Sequence, residues 1–224
     1  MMKQRVLYIV SLVIGMAFGI GVVLQIKEQI HLQAVKFQLI LKGYLIYLGK
    51  GGKMVIGDPY VFSIIIEVVD EWNENKVFNN GLLFMSIDGI LFLPKITNAT
   101  LNAELFRLIE NFKSPKINEE IFQMEKKEAF VYIYNLTFPS DWNLDNDYSY
   151  TITPYEFEDN NCFVFMVSNG ERIRILAASE LQYIKEESTH NLQDIDVVET
   201  YILKEELEII VEKLNIFEMQ IQNN

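Results

Sequence analysis

Cysteine is almost missing from this chain of 224 residues: Cys162 stands alone, so no internal disulfide can form. With only His31 and His190 beside that thiol, no zinc cluster of ordinary ligand spacing can be assembled. A glycine-rich phosphate loop, a dinucleotide fingerprint and a nucleophile elbow are all lacking, which leaves the motif-marked enzyme classes without a foothold. No period of about 20 to 50 residues repeats, so solenoids and propellers are set aside. Basic residues are in deficit, 19 Lys and Arg against 31 Asp and Glu, and a net charge of −12 argues against a protein that works by gripping nucleic acid. What is present suffices for a core. Half of the residues are hydrophobic and 12% are aromatic, enough apolar material for one ordinary domain and too much for a disordered chain.

The charge is split at one point. Up to Lys53, seven basic residues (Lys3, Arg5, Lys27, Lys36, Lys42, Lys50 and Lys53) face one acid, Glu28; from Met54 onward, 12 basic residues face 30 acids. Within the basic part, Val6 to Leu24 holds no ionisable group other than Tyr8, and its 19 residues would span about 28 Å as a helix, close to the thickness of the hydrocarbon layer. The layout this predicts is a basic extension over 1–53 with a transmembrane helix at 6–24, followed by an acidic domain over 54–224. Two other readings stay open. Lys3 and Arg5 could open a secretory signal, although no small-residue cleavage site follows it. Alternatively, Gly49-Lys50-Gly51-Gly52-Lys53 is a linker ahead of a domain that starts at Met54, and everything upstream belongs to an overlong reading frame. Ser11, Gly15 and Gly19 share one helix face at the spacing that permits close helix contact in a bilayer. Phe37 to Leu48 is apolar but too short to cross. The lysines after the span place the acidic domain in the cytoplasm, anchored to the inner face of the membrane where the span is real.

From Met54 the pattern alternates hairpins with helices. Gly57-Asp58-Pro59 reads as a turn, Val61 to Val69 as a buried strand, and Asn79-Asn80-Gly81 as a second turn. Leu82 to Ile87 and Ile90 to Leu93 flank Asp88-Gly89, a pair that tolerates the two positive φ angles of a type I′ turn. Thr100 is placed to cap a helix with Leu101, Leu105, Leu108, Ile109 and Phe112 at helical spacing, closed by Ser114-Pro115. Glu125 to Asn135 begins helix-friendly and turns strand-like, and is read as helix; Tyr148 to Thr153 alternates like a strand. Cys162 to Val167 and Arg172 to Ala177 surround Asn169-Gly170, a strong hairpin signal. Asp196 to Ile202 reads as a strand, and Lys204 to Phe217 as a helix that buries Leu207, Ile210, Val211 and Leu214. Hairpins mixed with helices, without βαβ alternation, predict an α+β fold on a largely antiparallel sheet.

Few residues stand out as chemical. His190 follows Glu186-Glu187-Ser188-Thr189, where a neighbouring acid could raise its basicity, against the plainer reading of a solvated loop histidine. Cys162 opens an apolar run and reads as a small buried hydrophobe. Asp141 to Asp147 imitates the opening of an EF-hand loop, but Asn146 occupies the glycine position and Ile152 the glutamate position, so neither a metal nor a cofactor is expected. The same loop has another use. Trp142 as an aromatic anchor, with Asp141, Asp145, Asp147 and Glu158 as an acidic rim, suits a protein partner that carries a basic surface.

Several stretches form a familiar set: Met54-Val-Ile-Gly-Asp-Pro-Tyr-Val-Phe-Ser-Ile, Asp70-Glu-Trp-Asn, Asn80-Gly81, Ile87-Asp-Gly, Asn98-Ala-Thr-Leu-Asn, Val167-Ser-Asn-Gly and Ile173-Arg-Ile-Leu-Ala. Together they resemble the immunity 42 family of bacterial polymorphic-toxin immunity proteins, from Met54 to about Leu214. The resemblance implies a cytoplasmic antitoxin that neutralises a cognate toxin domain by binding it, without catalysis. The acidity fits a basic toxin domain, of which nucleases are the frequent kind. The extension over 1–53 departs from the family pattern. Two other classes remain as alternatives: a membrane-tethered acidic scaffold, and an enzyme whose pocket sequence alone does not reveal.

Overall fold

The computed structural model describes residues 53–73, 78–92, 97–141, 143–184 and 189–222, all within the unit Leu45–Asn224. The apolar run 6–24, the stretch 37–48 and Trp142 lie outside the described residues. Among the described residues, no helix is long and apolar enough to cross a membrane.

The first sheet is a meander of β1 (Lys53–Asp58), β2 (Phe62–Val68), β3 (Asn80–Ile87) and β4 (Ile90–Phe92), with β5 (Ala99–Thr100) paired to the start of β3. Its alternation sets the register. Ile64 lies between Ile56 and Met85, and Ile66 between Met54 and Leu83, so one face becomes a continuous apolar surface. Two helices cover that face. These are α1 (Leu101–Lys113), which buries Leu101, Leu105, Leu108, Ile109 and Phe112, and the terminal helix, which packs beside it.

Between them in sequence come three short helices, α2 (Glu119–Gln123), α3 (Lys126–Thr137) and α4 (Tyr155–Asp159). A second antiparallel sheet follows, built from β6 (Phe163–Ser168), β7 (Arg172–Ala178) and β10 (Val198–Leu203), in the order β10-β7-β6. A ribbon of β8 (Tyr183–Ile184) and β9 (Thr189–His190) stands apart from it, and α5 (Lys204–Gln222) ends the chain. The second sheet is buried on both faces. Val164, Met166, Ile173, Ile175 and Ala177 join the core beneath α1 and α5, while Phe163, Phe165, Val167, Leu176 and Ala178 join a second core under α2 and α3. For this reason Cys162 to Val167 reads as an unbroken apolar run rather than an alternation.

One charge sits inside this arrangement. Arg174, 2% exposed, faces the second core from the middle of β7. Its Nε and Nη2 donate to the Glu199 carboxylate (2.9 and 2.7 Å), and its Nη1 donates to the carbonyls of Ile121, Phe122 and Met124 (3.3, 3.0 and 2.7 Å). A buried guanidinium thus finds partners for its donors at the C-terminal end of α2.

The α+β reading holds, as do the helix over Glu125 to Asn135 and the terminal helix, which runs on to Gln222 and buries Ile221, although Val211, expected to be buried with Leu207, Ile210 and Leu214, is only half-buried. Asp88 and Gly89 take φ of 51° and 74°, as a type I′ turn requires. In the later hairpin only Gly170 has positive φ, and Asn169 lies opposite Arg172, so the centre is Gly170-Glu171, one residue beyond the expected pair.

Three expectations are corrected. Asn80-Gly81 is strand, not turn: a Cβ on Gly81 would lie 2.1 Å from the Glu67 carbonyl and 2.7 Å from Leu101, so glycine is there for close approach. The connection before it is closed by Asn73, whose side chain donates to the Asn80 carbonyl (2.9 Å) and accepts from the Asn80 amide (2.6 Å). Tyr148 to Thr153 is not a strand, because Ser149-Tyr150 turns the chain and Pro154 has no amide hydrogen to offer. It still runs beside β6, with a single bridge from Thr151 to Phe165 and with the Thr153 hydroxyl standing in for a backbone group on both sides of Val164. Thr100 makes no side-chain cap; the Leu101 amide donates to the Asn79 carbonyl instead (2.8 Å).

Two predictions test the packing. Leu207→Asp puts an unpartnered charge at a 2% exposed site and is expected to remove several kcal/mol, read by urea unfolding. Arg174→Met strands the Ile121, Phe122 and Met124 carbonyls and is expected to cost about 3 to 5 kcal/mol.

Candidate partner-binding surface

The acidic loop begins where α3 ends, and its first half is held by its own turn. The Asp141 carboxylate accepts from the Asn143 backbone amide (2.9 Å) and side chain (2.8 Å), and Asp141 and Asp145 are both exposed. Its second half is tied to the helix. The Asn146 side chain donates to the Thr137 carbonyl (2.8 Å) and the Asp147 amide to the Leu136 carbonyl (2.8 Å), two carbonyls that the last turn of α3 cannot satisfy internally.

The four predicted acids therefore differ. Asp147 is engaged: hydrogen bonds from Ser149 and the Lys116 ammonium at 2.9 Å hold its carboxyl down at about 2, against a burial cost that opposes them. Glu158, on α4, lies 3.6 Å from Arg107, whose guanidinium sits 4.1 Å from the centre of the Tyr155 ring. Behind it, the buried Glu104 accepts the Tyr155 and Glu156 amides (2.9 and 3.1 Å) and so caps α4 from another helix; burial pushes its carboxyl pKa up. Asp141 and Asp145 form no ion pair among the described residues.

An aromatic cluster connects these places. Phe130, Tyr134 and Phe138 recur at helical spacing along α3 and its end, and meet Phe163 and Phe165, which share one face of β6. Tyr148 stands on edge against Phe138 at 6.3 Å. At the other end is His190, 5.1 Å from Phe163 and 5.2 Å from Tyr183. Its Nδ1 lies 2.6 Å from the Tyr134 hydroxyl and its Nε2 2.8 Å from the Asn161 side-chain oxygen. Because that oxygen can only accept, Nε2 carries the hydrogen and Nδ1 accepts from Tyr134. The Asn161 amide in turn donates to the Glu158 carbonyl (3.0 Å), which ties the backbone at the end of α4 to the cluster, while the Glu158 carboxylate lies against Arg107.

His190 is thus half-buried among rings, which corrects the reading of a solvated loop histidine, and burial pushes its pKa down, opposite to the rise that a neighbouring acid could have given. Sequence reasoning missed this cluster, although the i, i+4, i+8 aromatics of α3 were a visible signal. Cys162 is buried, as expected. Among the described residues, no group of His, Cys, Asp and Glu is placed to hold a metal.

The pH dependence follows from the directions. An unfolded histidine takes its proton near pH 6.5 and folded His190 only below that, so its stabilising contribution is full above about 6.5 and is lost as pH falls below that value through the lower folded pKa. Asp147 contributes above its unfolded value of 3.8 and loses its contribution as pH falls towards about 2. Urea unfolding is therefore expected to show the parent losing stability relative to His190→Gln as pH falls below about 6.5. Asp147→Asn is expected to cost about 1 kcal/mol or less at neutral pH, since its pair with Lys116 is solvent-screened.

A family model described as Immunity protein 42 matches residues 54–217. In fold, the chain is similar to the crystal structure of CdiI from Burkholderia dolosa, with a TM-score of 0.59 and 20% identity, over 73% of this chain and 99% of that one. No curated protein matches the sequence.

Proposed function

The chain belongs to the immunity protein 42 family, so it is an immunity protein of a toxin system, and we propose that it neutralises its cognate toxin domain by direct binding, without catalysis. The observation that carries this reading is the match over 54–217, nearly all of the acidic part of the chain. Its charge supports a basic toxin domain, of the nuclease kind, drawn in by the excess of carboxylates. Trp142 serves as an anchor, and Asp141, Asp145, Asp147 and Glu158 form the rim that faces the partner. Asp141 and Asp145 are exposed and supply the steering field; Asp147 and Glu158 also hold Lys116 and Arg107 in place. The protein acts in the cytoplasm, anchored to the membrane's inner face where the apolar run 6–24 forms a true span.

Co-expression with the cognate toxin domain, sought first in the gene immediately upstream, tests this. The full chain is expected to restore growth and to co-purify with the toxin. Lysine at Asp141 and Asp145 is expected to slow association about tenfold at low salt, and Trp142→Ala to speed dissociation. A chain that neither rescues growth nor forms a complex ends the binding mechanism and favours a membrane-tethered scaffold. Rescue that survives reversal of all four acids removes this rim and leaves the mechanism standing.

A further inference from the structure

We infer that the toxin is gripped by the aromatic strip Tyr148, Phe138, His190 and Tyr183, which presents ring faces to lysine and arginine side chains of a basic protein surface. This rests on the immunity reading and adds to it the site of affinity, as distinct from the rim that steers.

Exposed aromatics are scattered over the molecule, but only some are built for binding. Tyr60 (83% exposed) and Phe106 (63%) have no ring contact among the described residues. Tyr148 (51%) and Tyr183 (48%) are different, because each stands against a half-buried ring, Phe138 or His190, that is itself packed on the buried Phe163. From Tyr148 through Phe138, Phe163 and His190 to Tyr183, each ring centre lies between 5.1 and 6.3 Å from the next, and Phe163 beneath them is 2% exposed. The strip is thus a place where the second core reaches the surface. Rings fixed in this way lose little rotamer freedom when a partner covers them, which is what separates an anchor from an ordinary surface contact.

The support is unusually firm at its far end. His190 is held at both nitrogens, by Tyr134 and Asn161, and it pairs with Tyr183 across the β8–β9 ribbon. Asn161 meets this demand with a left-handed backbone, φ 54°, from which its carbonyl also accepts the Leu181 amide (3.1 Å).

Charge decides the partner's chemistry. Asp141 and Asp145, both exposed, lie within seven residues of Tyr148 in the chain, in a domain where 30 acids face 12 bases. Rings on so acidic a surface attract cations twice, through the π quadrupole and through the surrounding negative charge. A phosphate backbone would be repelled by the same acids, so the occupant is a basic protein and not a nucleic acid.

The test uses the full chain and the toxin domain that it is shown to neutralise in co-expression. Tyrosine nitration needs no variant: Tyr148 and Tyr183 are expected to react in the free protein and to be protected at least fivefold in the complex, while Tyr60 stays reactive in both. In binding measurements, Tyr148→Ser with Tyr183→Ser is expected to weaken the complex at least tenfold, mainly through faster dissociation. The paired Tyr→Phe changes, which keep the rings, and Tyr60→Ser with Phe106→Ser are expected to stay within threefold of the parent. A complex in which Tyr148 and Tyr183 remain reactive, or in which the double serine variant folds and binds like the parent, overturns the strip and leaves the immunity mechanism intact. Failure of the parent to bind the toxin at all overturns both.

Discussion

A guanidinium buried between a sheet and two helices must have a partner for each of its donors, and the satisfaction of Arg174 is the constraint on which the rest of the fold hangs. Its fork joins β10, through Glu199, to the end of α2, through three carbonyls. That end is also the start of α3. Glu125, one residue beyond the last of those carbonyls, accepts the Lys127 and Glu128 amides and so begins the helix from a fixed point. The direction of α3 then determines which of its faces meets β6, and with it the place where Phe130, Tyr134 and Phe138 stack. The aromatic cluster is therefore a consequence of where one positive charge found its acceptors.

What could be read in the sequence was what local interactions decide. Asp88-Gly89 forms its turn because two positive φ angles are needed within two residues, and no distant group alters that need. The terminal helix follows from the spacing of Leu207, Ile210 and Leu214, which any apolar surface would satisfy. The failures share the opposite character. Asn80-Gly81 carries the composition of a turn, but its glycine answers to a carbonyl on the neighbouring strand and a leucine on α1. Tyr148 to Thr153 carries the alternation of a strand, but a turn and a proline leave only one bridge to β6. Arg174 lies in the alternating run Arg172-Ile173-Arg174-Ile175, where a solvent-facing charge is the ordinary expectation; that it faces a second core depends on helices about 50 residues away.

The candidate surface was half legible for the same reason. Acidity, an EF-hand-like loop without its glycine, and a tryptophan among aspartates are properties of composition, and they drew attention to Asp141, Trp142, Asp145 and Asp147. The division of labour among the acids was not legible. Asp147 is held by Lys116, 31 residues earlier in the chain, and Glu158 by Arg107 on α1, whereas among the described residues Asp141 binds only its own turn. A carboxylate engaged in this way brings less field to an approaching partner than an open one, so equal charges in the sequence are unequal in steering.

The second sheet serves as a wall common to two cores, and Ala177 and Ala178 stand side by side on β7 facing opposite ways, both essentially without solvent exposure. A methyl group on each side is what lets helices approach the wall from both directions. Enlarging either residue would press the wall into the opposite core, so the volumes of the two cores are not independent quantities. In evolutionary terms, a larger side chain accepted beneath α3 has to be matched by a smaller one beneath α5, and the surface that meets a partner drifts only as fast as the hidden side of the molecule allows.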